Sequence, residues 1–361
     1  MQELKKPFAK LEKLKLDFYP YTYVRVVVMR SLLFRKEDYH KMSKMSFSEI
    51  AKHMQESQYK KEINELAGRY SGADLLELAL NKNLAGSFKK LMRTSSYEIG
   101  LLVKEYAKRK DIEDLKTIVR GKFTRADEKI IANSITGAGT LSHDFLLSLL
   151  KKESVEEILK CNKLADFSLF KNALKDLNEK KSLAGIENAL DKYYYTYLIQ
   201  FSTTLPKEGT LFRNFLLKEV ETLNMLALLR LKKAKFSKEA IRDFIIPTGD
   251  KFKDLKILNL ANLEDLEQLS KALEKTEYKN VIARGFDEFK KTGSLITLET
   301  DLYKYLLRQS ILFMHQHPLS IDVILGYMFA KEIEVRNLKI LIKGKQLGLK
   351  EDFIESQLIY E

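Results

Sequence analysis

The chain is short of the residues that would point to most familiar chemistries. Its 361 residues include one cysteine and five prolines. Cys161 has no second thiol to pair with, so an internal disulfide is excluded and a reducing compartment is expected. With so little proline, and with Leu, Lys, Glu and Ala abundant, the expected fold class is all-α. A membrane-spanning run of about 18 apolar residues is also missing. The best apolar stretch, Leu319–Ala330, is short and carries Asp322. The N-terminal MQELKKPFAKLEKLKLDFYPY alternates lysine with leucine and lacks the unbroken apolar centre of a signal peptide.

Motifs for catalysis are equally scarce. No GxxxxGK followed by Ser or Thr is present, which excludes a P-loop. Gly137-Ala-Gly139 lacks a third glycine and follows a helical pattern, so it reads as a turn. His315 and His317 are two apart ahead of Pro318, the arrangement of a loop rather than the i, i+4 pair of a helical metal site. His40, His53 and His143 stand alone, and Cys161 is expected as a small buried hydrophobe. No catalytic site, metal, cofactor or small-molecule substrate is expected, and a helical-repeat enzyme would have no residues to work with.

What the chain does have is 45% hydrophobic and 31% charged residues, enough to bury real cores in two or three domains and too apolar for a disordered chain. The formal net charge of +13 is uneven. Residues 1–110 carry 23 Lys and Arg against 13 Asp and Glu, residues 111–220 carry 17 against 16, and residues 221–361 carry 23 against 21. A basic first third suits nucleic acid, an anionic membrane surface or an acidic partner, and equally a solvated lysine-rich surface.

The chain also repeats itself. DIEDLKTIVRGK (Asp111–Lys122), ETLNMLALLRLK (Glu221–Lys232) and EVRNLKILIKGK (Glu334–Lys345) match at spacings of 110 and 113 residues. Each begins with an acid, has Asp or Asn three residues on (Asp114, Asn224, Asn337), and ends basic-x-Lys: Arg120 and Lys122, Arg230 and Lys232, Lys343 and Lys345. The match runs on through Ile131, Ile241 and Ile354 to loops at Thr136–Gly139 and Ile246–Gly249. A second set aligns Ala73, Leu76, Leu80 and Leu84 with Leu183, Ile186, Leu190 and Tyr194 and with Leu295, Leu298, Leu302 and Leu306, each with a matching acid, Glu77, Glu187 or Glu299. Offsets of 0, 3, 7 and 11 trace one helix face. Tyr193–Tyr195 and Tyr305 are expected to pack in a core.

The expected organisation is three similar helical modules, 1–110, 111–220 and 221–331, with an extra half-module at 332–361. A unit this long exceeds the roughly 20–50 residues of short solenoid repeats. Two readings of the repeated polar residues stay open. Asp111, Glu221 and Glu334 with Arg120, Arg230 and Lys343 suit the two ends of a helix dipole, at about 0.3–1 kcal/mol each. Alternatively the equivalent helices line one surface and offer Asp111, Asp114, Arg120, Lys122, Glu221, Asn224, Arg230, Lys232, Glu334, Asn337, Lys343 and Lys345 to a partner. Asp and Asn are poor interior helix formers, which favours the second reading. A basic helical-repeat nucleic-acid-binding protein is the alternative from another class. It lacks helix-turn-helix, zinc-finger and RNP-type signatures, and a phosphate-tracking groove would be basic in every repeat.

Tyr19–Tyr39, Glu77–Leu91, Asp111–Phe123, Ala189–Ile199, Glu219–Ala234 and above all ILGYMFAKEIEVRNLKILIKGKQLGL (Ile324–Leu349) resemble the C subunit of archaeal-type (A-type) ATP synthases, the relative of the d subunit of vacuolar-type ATPases. One departure is Met225–Leu226, where the other copies have Leu-Lys. The resemblance implies a non-catalytic rotor component whose three helical modules form a funnel about a pseudo-three-fold axis. It further implies a seat on the membrane proteolipid ring at one end, a grip on the D and F subunits of the central shaft at the other, and a peripheral position at the cytoplasmic face of the cell membrane. The basic first module tolerates anionic lipid headgroups nearby. Nucleic acid is not among the implied partners.

Overall fold

The computed structural model describes residues 19–205, 209–248, 254–317 and 319–360. The stretch 1–18, Gly249 of the second loop and Pro318 lie outside the described residues, with the sequence readings that fall on them. Every regular element among the described residues is helical. Four short helices, α1 (Pro20–Ser31), α2 (Lys36–Lys44), α3 (Phe47–Gln55) and α4 (Lys60–Leu66), lead into a long pair, α5 (Gly72–Thr94) and α6 (Tyr97–Thr124). The order then recurs. Short α7 (Glu128–Ser134), α8 (His143–Leu150), α9 (Val155–Cys161) and α10 (Lys171–Lys180) precede long α11 (Ala184–Thr203) and α12 (Gly209–Lys233). Short α13 (Lys238–Phe244), α14 (Asp254–Ala261), α15 (Leu266–Leu273) and α16 (Lys279–Thr292) precede long α17 (Ile296–Gln316) and α18 (Ile321–Gln346), and α19 (Glu351–Ser356) closes the chain.

Local chemistry sets the ends of the long helices. Ser96 accepts from the Ile99 N–H at the start of α6, and Ser320 from the Asp322 N–H at the start of α18. At the other end the three repeats use one device. Arg125, Lys235 and Gly348, again 110 and 113 apart, all take the left-handed conformation, with φ of 55°, 58° and 66°. The next residue's N–H bonds back to the carbonyl of Gly121, Leu231 or Gly344. Only the third copy uses glycine there; Arg125 and Lys235 adopt it at a cost of about 1–2 kcal/mol each. Gly121 and Gly344 admit the next short helix closely, since a Cβ at either would collide with the side chain of Ile131 or Ile354.

The six long helices close on themselves. α5 packs on α6, α6 on α11, α11 on α12, α12 on α17, α17 on α18, and α18 returns to α5. The C-terminal half-module is thus the piece that joins the last repeat to the first. α18 also touches α1, α3, α12 and α19, which explains why its first half is apolar on every side: Ile321, Val323 to Leu325 and Tyr327 to Phe329 are all buried. One core runs from Tyr19 to Val220 and takes in most of α18 and α19; a second spans Met225 to Leu302. No helix among the described residues is long and apolar enough to cross a membrane.

The structure bears on several sequence expectations. The boundaries at 110/111, 220/221 and 331/332 fall inside α6, α12 and α18, and a continuous helix carrying core residues on both sides is no linker. The period marks a repeat whose joints lie elsewhere. For the same reason Asp111, Glu221 and Glu334 sit in mid-helix, outside the first turn where a helix dipole acts. Cys161 is exposed, because the buried face of α9 is Val155, Ile158 and Leu159. Of the tyrosines expected in a core, Tyr194 and Tyr195 are buried, and Tyr193 and Tyr305 are partly buried.

Candidate functional site

Helices α6, α12 and α18 occupy the same place in the three repeats, and they meet. Arg109, Glu219 and Glu332 stand at equivalent positions, 110 and 113 residues apart. The Arg109 guanidinium donates to the Glu219 carboxylate, and its Nε and Nη2 lie 3.2 and 2.5 Å from the two oxygens of Glu332. All three side chains are at most 10% exposed. Lys110 Nζ stands 3.3 Å from Glu332, so two cations face two carboxylates. The Tyr106 ring lies 4.5 Å below the guanidinium and the Tyr195 hydroxyl donates to Glu219 over 3.4 Å. Burial pushes the Glu219 carboxyl above its usual range, and Arg109 opposes that rise. Equivalent residues in contact require equivalent helices converging on one centre. Three identical charges there would repel one another at short range, and the chain instead places one arginine against two glutamates.

A cavity of about 640 Å³ opens beside this cluster, walled by α6, α12, α17 and α18. Its walls differ. α6 contributes Lys110 and Glu113, α12 contributes Leu223, and α18 contributes Arg336 and Lys339. Leu226, the counterpart of Lys116 and Lys339, is buried, and α12 presents Glu219 and Leu223 to the cavity.

A second set of equivalent residues links neighbouring repeats. Arg120 makes a two-pronged contact with Glu187, at 2.5 and 2.7 Å; Arg230 does the same with Glu299, at 2.6 and 2.7 Å; Lys343 stands 2.7 Å from Glu77. Each cation comes from one repeat and each acid from the next, with the third cation returning to the first repeat's acid. The cations are about half exposed, so each pair contributes at most about 1 kcal/mol, but the three form a closed circuit.

The remaining expected partner-facing residues are mostly turned inward. Asp114 accepts from the N–H groups of Thr136 and Gly137 at 2.8 Å; Asn224 and Asn337 each exchange two hydrogen bonds with the backbone of a single residue, Ile246 and Ile359. In every copy the bond spans 22 residues and pins the segment after the next short helix. Burial pushes Asp114 up to about 6, against backbone donors that favour its ionised form. Asp111 accepts from Thr140 and Leu141, and a Cβ on Gly139 would collide with its carboxylate, so the TGAG turn needs that glycine. Glu334 is buried among Lys331, Tyr59, Gln58 and the Phe34 N–H. The polar atoms of Asp111, Asp114, Asn224, Glu334 and Asn337 thus brace the fold from within, and Asp114 also lines the cavity. Lys122 and Lys345 lie near Glu128 and Glu351, six residues on in each case, and Lys232 donates to the carbonyls of Ala261 and Leu263. Glu221, paired with Lys218, remains half exposed.

Sequence reading missed Arg109, Glu219, Glu332, Arg336 and Lys339. Their signal was position, two residues before the matched acids and two or five after, and likeness of type is limited to Glu219 with Glu332 and Lys339 with Lys116. No group of three or more metal-ligating side chains occurs among the described residues.

A family model described as ATP synthase (C/AC39) subunit matches residues 22–357. Proteins named as the C subunit of A-type ATP synthase are similar over nearly the whole chain. The one from Methanococcoides burtonii is 39% identical, covering 94% of each chain; the one from Methanosarcina acetivorans is 37% identical over 98% of this chain and 97% of its own. That from Haloquadratum walsbyi is 30% identical over 94% and 97%.

Proposed function

The chain belongs to the ATP synthase (C/AC39) subunit family and is a non-catalytic subunit of a rotary ATP synthase; on that premise we propose that it is the coupling between rotor ring and shaft. Three helical repeats surround a pseudo-three-fold axis as a funnel. One end seats on the membrane proteolipid ring at the cytoplasmic face of the membrane, and the hollow holds the tip of the central shaft, made of the D and F subunits. Torque then passes between ion-driven ring rotation and ATP synthesis, or in reverse when ATP drives ion transport.

The observation that carries this reading is the convergence of Arg109, Glu219 and Glu332, one from each repeat, beside a cavity lined by all three helices. A coupling must be stiff. Close-packed helices resist deformation, and a closed circuit of inter-repeat ion pairs resists opening at any one joint. The excess of cations in residues 1–110 suits a place near anionic headgroups, where each is worth roughly 1 kcal/mol.

Mixing the purified chain with the purified D–F shaft subcomplex at moderate salt is expected to give a stoichiometric complex on gel filtration. Separate elution of the two would overturn the coupling role.

A further inference from the structure

The cations of the α18 wall make no direct ion pair among the described residues. Lys339 makes no ion pair among the described residues, and Arg336 has a buried Nη1 with no hydrogen-bond partner, its guanidinium lying 5.3 Å from the Tyr303 ring. The two are three residues apart on one helix, so their side chains are neighbours on the same face, and both line the cavity. This is unusual in a molecule whose other central charges are paired. Arg109, Lys110, Lys116 and Lys331 all have carboxylate partners. Burial, reinforced by Lys110 of α6, outweighs Glu77 of α5 and Asp114 and Glu113 of α6, so the Lys339 ammonium is lowered to about 8. Burial also lowers Arg336. Uncompensated, partly desolvated cations cost stability in the free chain and are retained where something anionic comes to meet them.

We infer that Arg336 and Lys339 form a receptor for a carboxylate carried by the partner that enters the cavity, an acidic residue flanked by apolar ones. The apolar flank follows from Leu223 of α12 and Leu306 of α17, which line the cavity on walls that α18 does not form. Because the anion-binding pair sits on one wall only, the partner enters in a single rotational setting, and the near-three-fold frame takes a tip without three-fold symmetry. This rests on the coupling reading, since it names the chemistry by which the same cavity grips its shaft.

The test compares wild type with the Arg336→Gln, Lys339→Gln double variant, using the purified D–F shaft as the probe. The Kd for the shaft is expected to rise at least about 30-fold, the scale of a lost buried charge pair. Wild-type affinity is expected to fall as pH rises from about 8 to about 9.5. A carboxylate raises the Lys339 pKa, so the complex takes up a proton in that window, and the slope is absent from the double variant. The melting temperature of the free double variant is expected to equal or exceed that of wild type. Wild-type binding with the variant unchanged within about threefold and no difference in pH slope would overturn the receptor and leave the coupling standing. A drop of several degrees in the variant's melting temperature would assign the cations a structural role and overturn it as well. Failure of wild type to bind the shaft would remove the coupling reading and this inference with it.

Discussion

Replacing Arg109 with alanine is expected to destabilise the chain by about 3–5 kcal/mol at pH 7. Arg109 is the cation between Glu219 and Glu332, and all three side chains are buried. Its removal leaves two carboxylates from different repeats facing each other across a low-dielectric gap, with Lys110 near only one of them. The pH dependence identifies the cause. Burial already raises Glu219 with Arg109 in place, and without Arg109 its folded-state pKa rises further above the unfolded value of about 4.3. The folded variant then binds protons the unfolded chain does not, so its stability falls as pH rises through that interval. Thermal melts are expected to show the gap between variant and wild type narrowing from pH 7 to pH 5. A gap independent of pH would mean that lost packing, with Tyr106 and Phe329 near the guanidinium, outweighs lost charge.

Glu334→Ala is expected to cost a similar 3–5 kcal/mol, roughly, with the opposite pH signature. Glu334 accepts from the Phe34 N–H, Gln58, Tyr59 and Lys331, which ties the α1–α2 turn and the start of α4 to α18. Without it the fully buried Lys331 keeps only the Gln58 carbonyl oxygen at 3.0 Å and the Tyr59 hydroxyl at 2.9 Å. Burial depresses Lys331 even in wild type. In the variant the folded chain holds this lysine neutral while the unfolded chain still binds its proton, so stability rises with pH toward about 10. The deficit is expected to shrink between about pH 7 and about pH 9.5 in thermal melts. The Lys331→Met, Glu334→Met double variant, with no buried charge left, is expected to be more stable than Glu334→Ala at pH 7.

These two sites show what the amino-acid sequence did and did not disclose. The all-helical class, the period and the matching loops were legible, because each copy keeps apolar residues at the same helical offsets to bury the same face. The acids Glu77, Glu187 and Glu299 and the cations Arg120, Arg230 and Lys343 were also visible as matched sets. Their mutual pairing was hidden, since each acid pairs with a cation from the preceding repeat. The central trio was hidden for a stronger reason. Side chains from three repeats that touch one another have to be complementary, and the recurrence of Glu219 as Glu332 gives no sign of the arginine that joins them. Asp114, Asn224 and Asn337 recur at mid-helix positions that propensity disfavours, and the structure gives each copy the same internal brace there. The mid-helix acids were placed at helix starts because the matched segments begin there, while the helices begin 12 to 14 residues earlier in each repeat, at Tyr97, Gly209 and Ile321.

The central claim is that the hollow between α6, α12 and α18 is where the shaft sits. Its most direct test is a photo-crosslink in the assembled ATP synthase, with p-benzoylphenylalanine in place of Leu223 on the cavity wall and, separately, in place of Leu312, which is exposed on α17. Irradiation is expected to join the chain to the D or the F component of the shaft from position 223 and not from position 312. Shaft adducts from 312 with none from 223 would contradict the account.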